Sequence, residues 1–331
     1  MIDLSGKDSF LIFQKPEKNQ TFISIGQWIE ISKFENLENE TPVLNAFNQK
    51  TFKLEGEIVL LKEKVSITNA KDFTSPTTSK ETHIQGIKKT IEACKNNKIK
   101  KCILSRIHKE PHQITDYFPL FKELINSYRH GFKYILNHPE FGMWIGVSPE
   151  TLISGSKNEG LFTHALAGSK ISNSNDDWTL KEKEEHQYVS DYIRKIILNN
   201  GSLIEESETY DKHAGNVKHL NRDFHFNLST PLFHFTNQLH PTPAIAGIPL
   251  KETTTHIQNI ENHSREIYCG FIGTVNKNKC ELFVNLRCGR ITPHEFHLFV
   301  GGGITDKSIA EDEYLETEIK SQTLLSVIKK M

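Results

Sequence analysis

The chain has 331 residues, of which 37% are hydrophobic, with 40 basic against 41 acidic side chains and a formal net charge of −1. That balance gives no sign of nucleic-acid binding or an anionic membrane surface driven by overall charge. The apolar content suffices for one large domain or two average ones. No long apolar run follows a basic start in MIDLSGKDSFLIFQKPEKNQ, and no later segment approaches the roughly 20 apolar residues of a spanning helix, so a cytoplasmic protein is expected. The five cysteines (Cys94, Cys102, Cys269, Cys280 and Cys288) form no CxxC pair and mostly sit in apolar, strand-like text. They read as buried reduced thiols rather than zinc ligands.

In chain order, residues 10–31 predict two strands joined by a Pro/Lys/Asn turn, and EGEIVLLKEKV at 55–65 predicts another. Polar, Pro- and Thr-rich text at 73–83 gives way to helical spacing, with Ile84, Ile87 and Ile91 on one face. A boundary near residue 80 therefore separates a strand-rich N-terminal subdomain, 1–80, from a region spanning 81–331. KKCILSRIHKE is then a strand, ITDYFPLFKELINSYRH a helix, FKYILNHPEFGMWIGVSPETLISG a strand pair and LFTHALAGSK a further strand. KEKEEHQYVSDYIRKIILNN is a helix. After the turn-rich LHPTPAIAGIPL come a helix at 251–264, strands in IYCGFIGTV, KCELFVNLRCGRIT and EFHLFVGGGIT, and a closing acidic helix. Strands adjoin as hairpins more often than they alternate with helices, which argues for an antiparallel-rich α+β fold.

Two helices place acids on faces that should be buried. In the first, Val189, Ile193 and Ile196 define an apolar stripe that Glu182 and Glu185 extend, while Lys183 and Glu184 point away. In the closing helix, Leu315 and Ile319 mark one side of the apolar face and Val327 the other. Glu316 and Lys320 fall between them, Glu313 lies close by, and Glu311 and Glu318 lie elsewhere. A buried carboxylate needs a cationic partner or a metal, and all-oxygen ligation suits magnesium. Exposed backbone N–H groups at Gly301-Gly302-Gly303 could hold an anionic group, although a tight turn explains the run equally well.

Four other residues are candidates. Lys101 is either a strand-end charge or a desolvated base. Glu150, in SPET, either caps a turn or is a carboxylic acid kept protonated by an apolar pocket. His219 is one of 16 histidines. Arg287, read as a strand residue among apolar neighbours, calls for an anionic partner because its charge cannot be shed.

Taken in order, KCILSR, GVSPE, ALAGS, KEKEEH, KHL, LHPTPAIAG, IYCGFIG, LRC, GGGI and EYLETEIK, between residues 101 and 320, resemble the chorismate-utilising enzymes. That family includes isochorismate synthase, salicylate synthase, anthranilate synthase component I and aminodeoxychorismate synthase. The resemblance implies large, mostly antiparallel sheets packed with helices in a layered sandwich, with 81–331 as the chorismate-binding catalytic region. It implies Lys101 as the base that activates water, Glu150 as the acid that protonates the departing hydroxyl, and His219 in support beside the substrate ring. Glu185 and Glu316 would hold Mg2+, with Glu313 as ligand or through water. Gly168, Ser169, Tyr268, Arg287, Gly301 and Lys320 would hold chorismate.

The LAGS text and Lys101 look like the water-using branch, which implies isochorismate synthase acting as a monomer without a glutaminase subunit, in menaquinone or siderophore biosynthesis. Salicylate synthase and an ammonia-using synthase are the alternatives. Three positions depart from the family pattern: Glu182 stands where Asp is usual, His164 where an acid often precedes ALAG, and Cys269 where Gly is usual.

Overall fold

The structure, a computed structural model, describes residues 1–171, 176–214 and 217–331, apart from the side chains of Ser169, Ile171, Ala214 and Val217. Two large antiparallel sheets carry the fold. The nine-stranded sheet runs, by neighbours, Gly247–Ile248, Lys101–Pro111, Glu295–Ile304, Cys288–Ile291, Gly142–Ser148, Phe132–His138, Phe10–Gln14, Thr21–Ile25 and Val59–Leu60. The ten-stranded sheet runs Gly201–Glu206, Val217–Leu228, Gly160–Ile171, Thr151–Ser156, Lys279–Val284, Phe271–Val275, Thr41–Asn45, Thr51–Glu55 and Gln27–Ile31, with Tyr210–Ala214 pairing off the path to Val217–Leu228. Six helices accompany them among the described residues: α1 (Lys80–Lys95), α2 (Phe118–Ser127), α3 (Leu180–Asn200), α4 (Leu232–Leu239), α5 (Leu250–Ile260) and α6 (Ala310–Ile328).

Layering explains why many strands are apolar on both faces. In FLIFQ, Leu11 and Phe13 belong to the core shared with the second sheet, whereas Phe10 and Ile12 face a second core closed by α2 and α6. Tyr134 and Leu136 against Ile135 repeat the division in the neighbouring strand. A strand covered twice loses its polar alternation, since both sets of alternating side chains are buried. A third, smaller core seats α1 and α5 on the start of the Lys101 strand through Ile87, Cys94, Ile257, Cys102 and Leu104. Ser79 caps α1 by accepting from the Thr82 N–H at 3.1 Å. All five cysteines are buried and unbridged, and among the described residues no helix is long and apolar enough to cross a membrane.

Strands from the first 80 residues pair into both large sheets: Phe10–Gln14 with Phe132–His138, and Thr41–Asn45 with Phe271–Val275. Some sequence expectations change. The 10–31 region holds three strands, while the strand expected at 55–65 shrinks to Val59–Leu60 and Val65–Ser66. The helix expected over 251–264 ends at Ile260.

The feature that positions the site is the pair of connections between sheets. Gly142–Ser148 leaves the first sheet and, through Pro149 and Glu150, enters the second as Thr151–Ser156; Lys279–Val284 makes the reverse passage through Asn285–Arg287. The two crossings are laced together. The Val284 N–H donates to the Glu150 carbonyl at 2.9 Å, the Val147 N–H donates to the Arg287 carbonyl at 3.2 Å, and the Ser148 hydroxyl donates to the Val284 carbonyl.

Candidate active site

A cavity of about 120 Å³ opens beside these crossings. It is lined by Lys101, Glu150, Gly168, Glu185, His219, Tyr268, Arg287, Gly301, Glu316 and Lys320, against apolar walls that include Ile103, Leu166, Leu286 and Phe299. Of the residues singled out in the sequence, Glu313 lies outside this lining, and the Ser169 side chain falls outside the described residues.

Lys101 opens its strand with only 1% of its side chain exposed and donates to Glu185 Oε1 of α3 at 2.8 Å. This pair explains Gly303. A Cβ there would lie 2.9 Å from Glu185 Oε1 and 3.3 Å from Lys101 Cε. The glycine run is therefore not a turn: Gly301, Gly302 and Gly303 are strand residues registered opposite Ser105, Leu104 and Ile103. At Gly301 a Cβ would press on the Leu104 carbonyl at 2.8 Å and the Tyr268 hydroxyl at 3.0 Å.

Glu150 is 8% exposed, and burial pushes its carboxyl up to about 7 against the opposing charges of Lys101, Lys212, Arg287 and Lys320. A carboxyl balanced near neutrality can hold a proton and release it. His219 occupies the strand next to Gly160–Ile171, whose pairing shifts register between Ala167 and Lys170. Gly168, at φ +72°, sits in that bulge, and its carbonyl lies 2.7 Å from His219 Nδ1. A carbonyl can only accept, so Nδ1 carries the proton. Burial holds the imidazole down to about 4, with Lys320 and Arg287 adding to the effect, so the ring is neutral near pH 7.

Arg287 differs from its expected place inside a strand: it sits between Lys279–Val284 and Cys288–Ile291 at φ +47°, a left-handed conformation that aims one side chain at the price of local strain. Burial depresses its pKa, and among the described residues no carboxylate comes within ion-pair distance. By contrast, Lys320 is committed twice, to Glu316 Oε1 at 2.5 Å and to the Gly301 carbonyl at 2.9 Å. Although burial works against its charge, Lys320, Lys181 and Arg287 keep the Glu316 carboxyl below the usual carboxylate range. Glu313 is 4% exposed, and its Oε1 accepts from Lys181 Nζ at 2.7 Å. Lys101 and Lys320 are thus balanced within the lining, and Arg287 is left to meet an incoming anion.

The helical faces turn out as expected in α3, where Glu182 and Glu185 are partly buried and Lys183 and Glu184 exposed. Glu182, though, closes a capping box with Thr179 rather than reaching the cavity. In α6 the expected apolar markers are wrong: Leu315 and Ile319 are each 54% exposed, and the buried face instead runs through Glu313, Thr317, Ser321 and Leu324. Glu318, which the wheel places off this face, pairs with the buried Arg106. Lys181 was not singled out from sequence; its signal was the i, i+4 spacing to Glu185.

The acids can be tested for a divalent cation. Among the described residues no three of them stand together as a ready chelate, because Glu185, Glu313 and Glu316 are each held by a lysine. The donor chemistry nonetheless suits magnesium, which takes one or two protein carboxylates and completes its shell with water and substrate oxygens. Glu185 and Glu316 supply such carboxylates in the cavity.

A layered antiparallel fold with a buried acid, a buried lysine and an uncommitted arginine around one cavity defines an enzyme site for a small anion. The chain belongs to the chorismate binding enzymes, whose family model matches residues 11–329. It is 28% identical over 280 residues to the vibriobactin-specific isochorismate synthase of Vibrio cholerae, covering 78% of this chain and 68% of that one. To the isochorismate synthase MenF of Bacillus subtilis it is 29% identical over 226 residues, covering 63% of this chain and 47% of that protein. The chain thus spans about two thirds of the first relative and about half of the second. The structure of MenF, the menaquinone-specific isochorismate synthase of Escherichia coli, shares the fold with a TM-score of 0.81 at 18% identity, over 98% of this chain and 90% of that one.

Proposed function

We propose that the protein is an isochorismate synthase, converting chorismate to isochorismate by adding water at ring carbon C2 while the C4 hydroxyl departs. The observation that carries this reading is Glu150: a buried carboxyl titrating at about 7 in the same cavity as the buried Lys101. The reaction needs an acid for the departing hydroxyl and a base for the entering water, and no redox step. Lys101 takes the proton from water, and its hydrogen bond to Glu185 keeps Nζ at the cavity wall. Glu150 delivers its proton to the leaving oxygen, so water departs rather than hydroxide. Arg287 meets a substrate carboxylate, and Leu166, Leu286 and Phe299 exclude bulk water from the ring.

Glu185 and Glu316, with Glu313 as ligand or through water, would hold Mg2+, which supplies charge neutralisation and orientation for the ring carboxylate. The neutral His219 adds no charge beside the ring. The names of the curated relatives support this reading. In it the chain acts as a single subunit on water, without a glutaminase. Incubating purified protein with chorismate and magnesium, followed by chromatography, tests it: isochorismate is expected, salicylate with pyruvate would move the assignment to salicylate synthase, and unchanged chorismate would overturn it.

A further inference from the structure

Lys181 belongs neither to the proposed acid and base nor to the cavity lining, yet it ties together the two helices that carry the candidate metal ligands. Its Nζ donates to Glu313 Oε1 at 2.7 Å. Glu313 Oε2 lies 3.9 Å from the Cβ position at Gly302, and Glu185 Oε1 lies 2.9 Å from that at the adjacent Gly303. Each helix thus brings an acid to the glycine strand. Glu185 is one turn from Lys181 on α3, and Glu316 follows Glu313 at i, i+3 on α6.

Resting on the reading above, we propose that Lys181 is a tethered counter-cation that competes with magnesium for this carboxylate group and must move aside when the ion binds. A compact ammonium on a four-carbon stem suits that role. Its side chain remains 27% exposed, which gives it a route to solvent, whereas Lys101, at 1%, has none. With the lysine in place, Glu313 is neutralised and α3 and α6 are held together without the ion. The lysine therefore sets how weakly magnesium binds alone.

The test is calorimetric titration of magnesium chloride, without substrate, into wild type, Lys181→Met, Lys181→Gln and Lys181→Arg. Both neutral variants should bind magnesium at least tenfold more tightly than wild type, and the arginine variant no more tightly. Thermal scans add a second readout: the neutral variants should melt lower than wild type without magnesium and recover with it, while wild type shifts little. Equal magnesium affinity in wild type and a folded neutral variant, including no binding by either, overturns the proposal. A parallel incubation of wild type with chorismate separates the two ideas. Isochorismate with equal affinities defeats the lysine proposal alone; tighter binding by the variants with unchanged chorismate defeats the functional reading alone.

Discussion

Glu150→Gln removes the proposed acid while keeping its shape, and it should make the protein both inactive and, at alkaline pH, more stable. In the unfolded chain this carboxyl titrates near 4.5, whereas burial in the folded chain raises it to about 7. The folded state therefore retains an extra proton between those values. Its contribution to stability is complete below about 4.5 and is lost as pH rises through about 7. At roughly 1.4 kcal/mol per pH unit, the gap costs the folded wild type about 3 kcal/mol at pH 8.5 and under about 1 kcal/mol at pH 5. Glutamine cannot ionise and escapes that cost. With an unfolding entropy of roughly 2.1 cal/mol/K per residue over 331 residues, the variant should melt about 4 °C above wild type at pH 8.5, and the advantage should shrink toward pH 5. Thermal scans of both proteins across that range measure it. In the same series wild-type kcat should fall above pH 7, as the protonated acid is titrated away, and the variant should lose about 10²–10⁴-fold. Parallel melting curves at all pH values would refute the assignment of a neutral buried acid at this position.

Lys101→Ala should abolish turnover and lower the melting temperature, because it leaves the partly buried Glu185 without its partner; the double variant Lys101→Met, Glu185→Gln should recover stability but not activity, as scans and product assays would show. Gly303→Ala, whose Cβ would meet the Lys101–Glu185 pair, should cut kcat roughly 10–100-fold with the circular dichroism spectrum retained; unchanged kcat would mean the pair is not part of the chemistry. Arg287→Met should raise KM for chorismate roughly tenfold or more by removing a charged hydrogen-bond donor, with a smaller effect on kcat, read from steady-state kinetics.

Fold class and many elements were legible because their signals are local. The helical spacing of Ile84, Ile87 and Ile91 marks α1, and the apolar run of FLIFQ marks a strand, which the fold buries on both sides. The strands at Gly201–Glu206, Tyr210–Ala214 and Val217–Leu228 were not anticipated. In VKHLNRDFHFNL, polar Asn221 is as buried as Phe224 and Phe226, so local hydropathy obscures a strand that the sheet specifies. The α6 wheel failed for a related reason. Its buried face carries Glu313, Thr317 and Ser321, small or paired polar groups that fit against the glycine strand, while Leu315 and Ile319 look outward. Wheel reasoning ranks residues by polarity, whereas this interface ranks them by size and by partner.

The placement of the acid and the free arginine has a common structural cause that no single stretch of sequence expresses. Glu150 and Arg287 occupy the two points where the chain passes between sheets, and those points are tied by backbone hydrogen bonds through Val147 and Val284. A crossing residue belongs to neither ladder completely, so its side chain can be aimed at the gap between layers. Charge then determines what the gap accepts. Lys101 with Glu185 and Lys320 with Glu316 are neutral as pairs, a protonated Glu150 adds nothing, and Arg287 leaves one positive charge. Chorismate brings two carboxylates, one more than Arg287 can balance. Exchanging the single charge of Lys181 for a divalent ion adds the missing unit. Under the proposed function the ion and the dianion should therefore each tighten the binding of the other, because each supplies charge that the other needs.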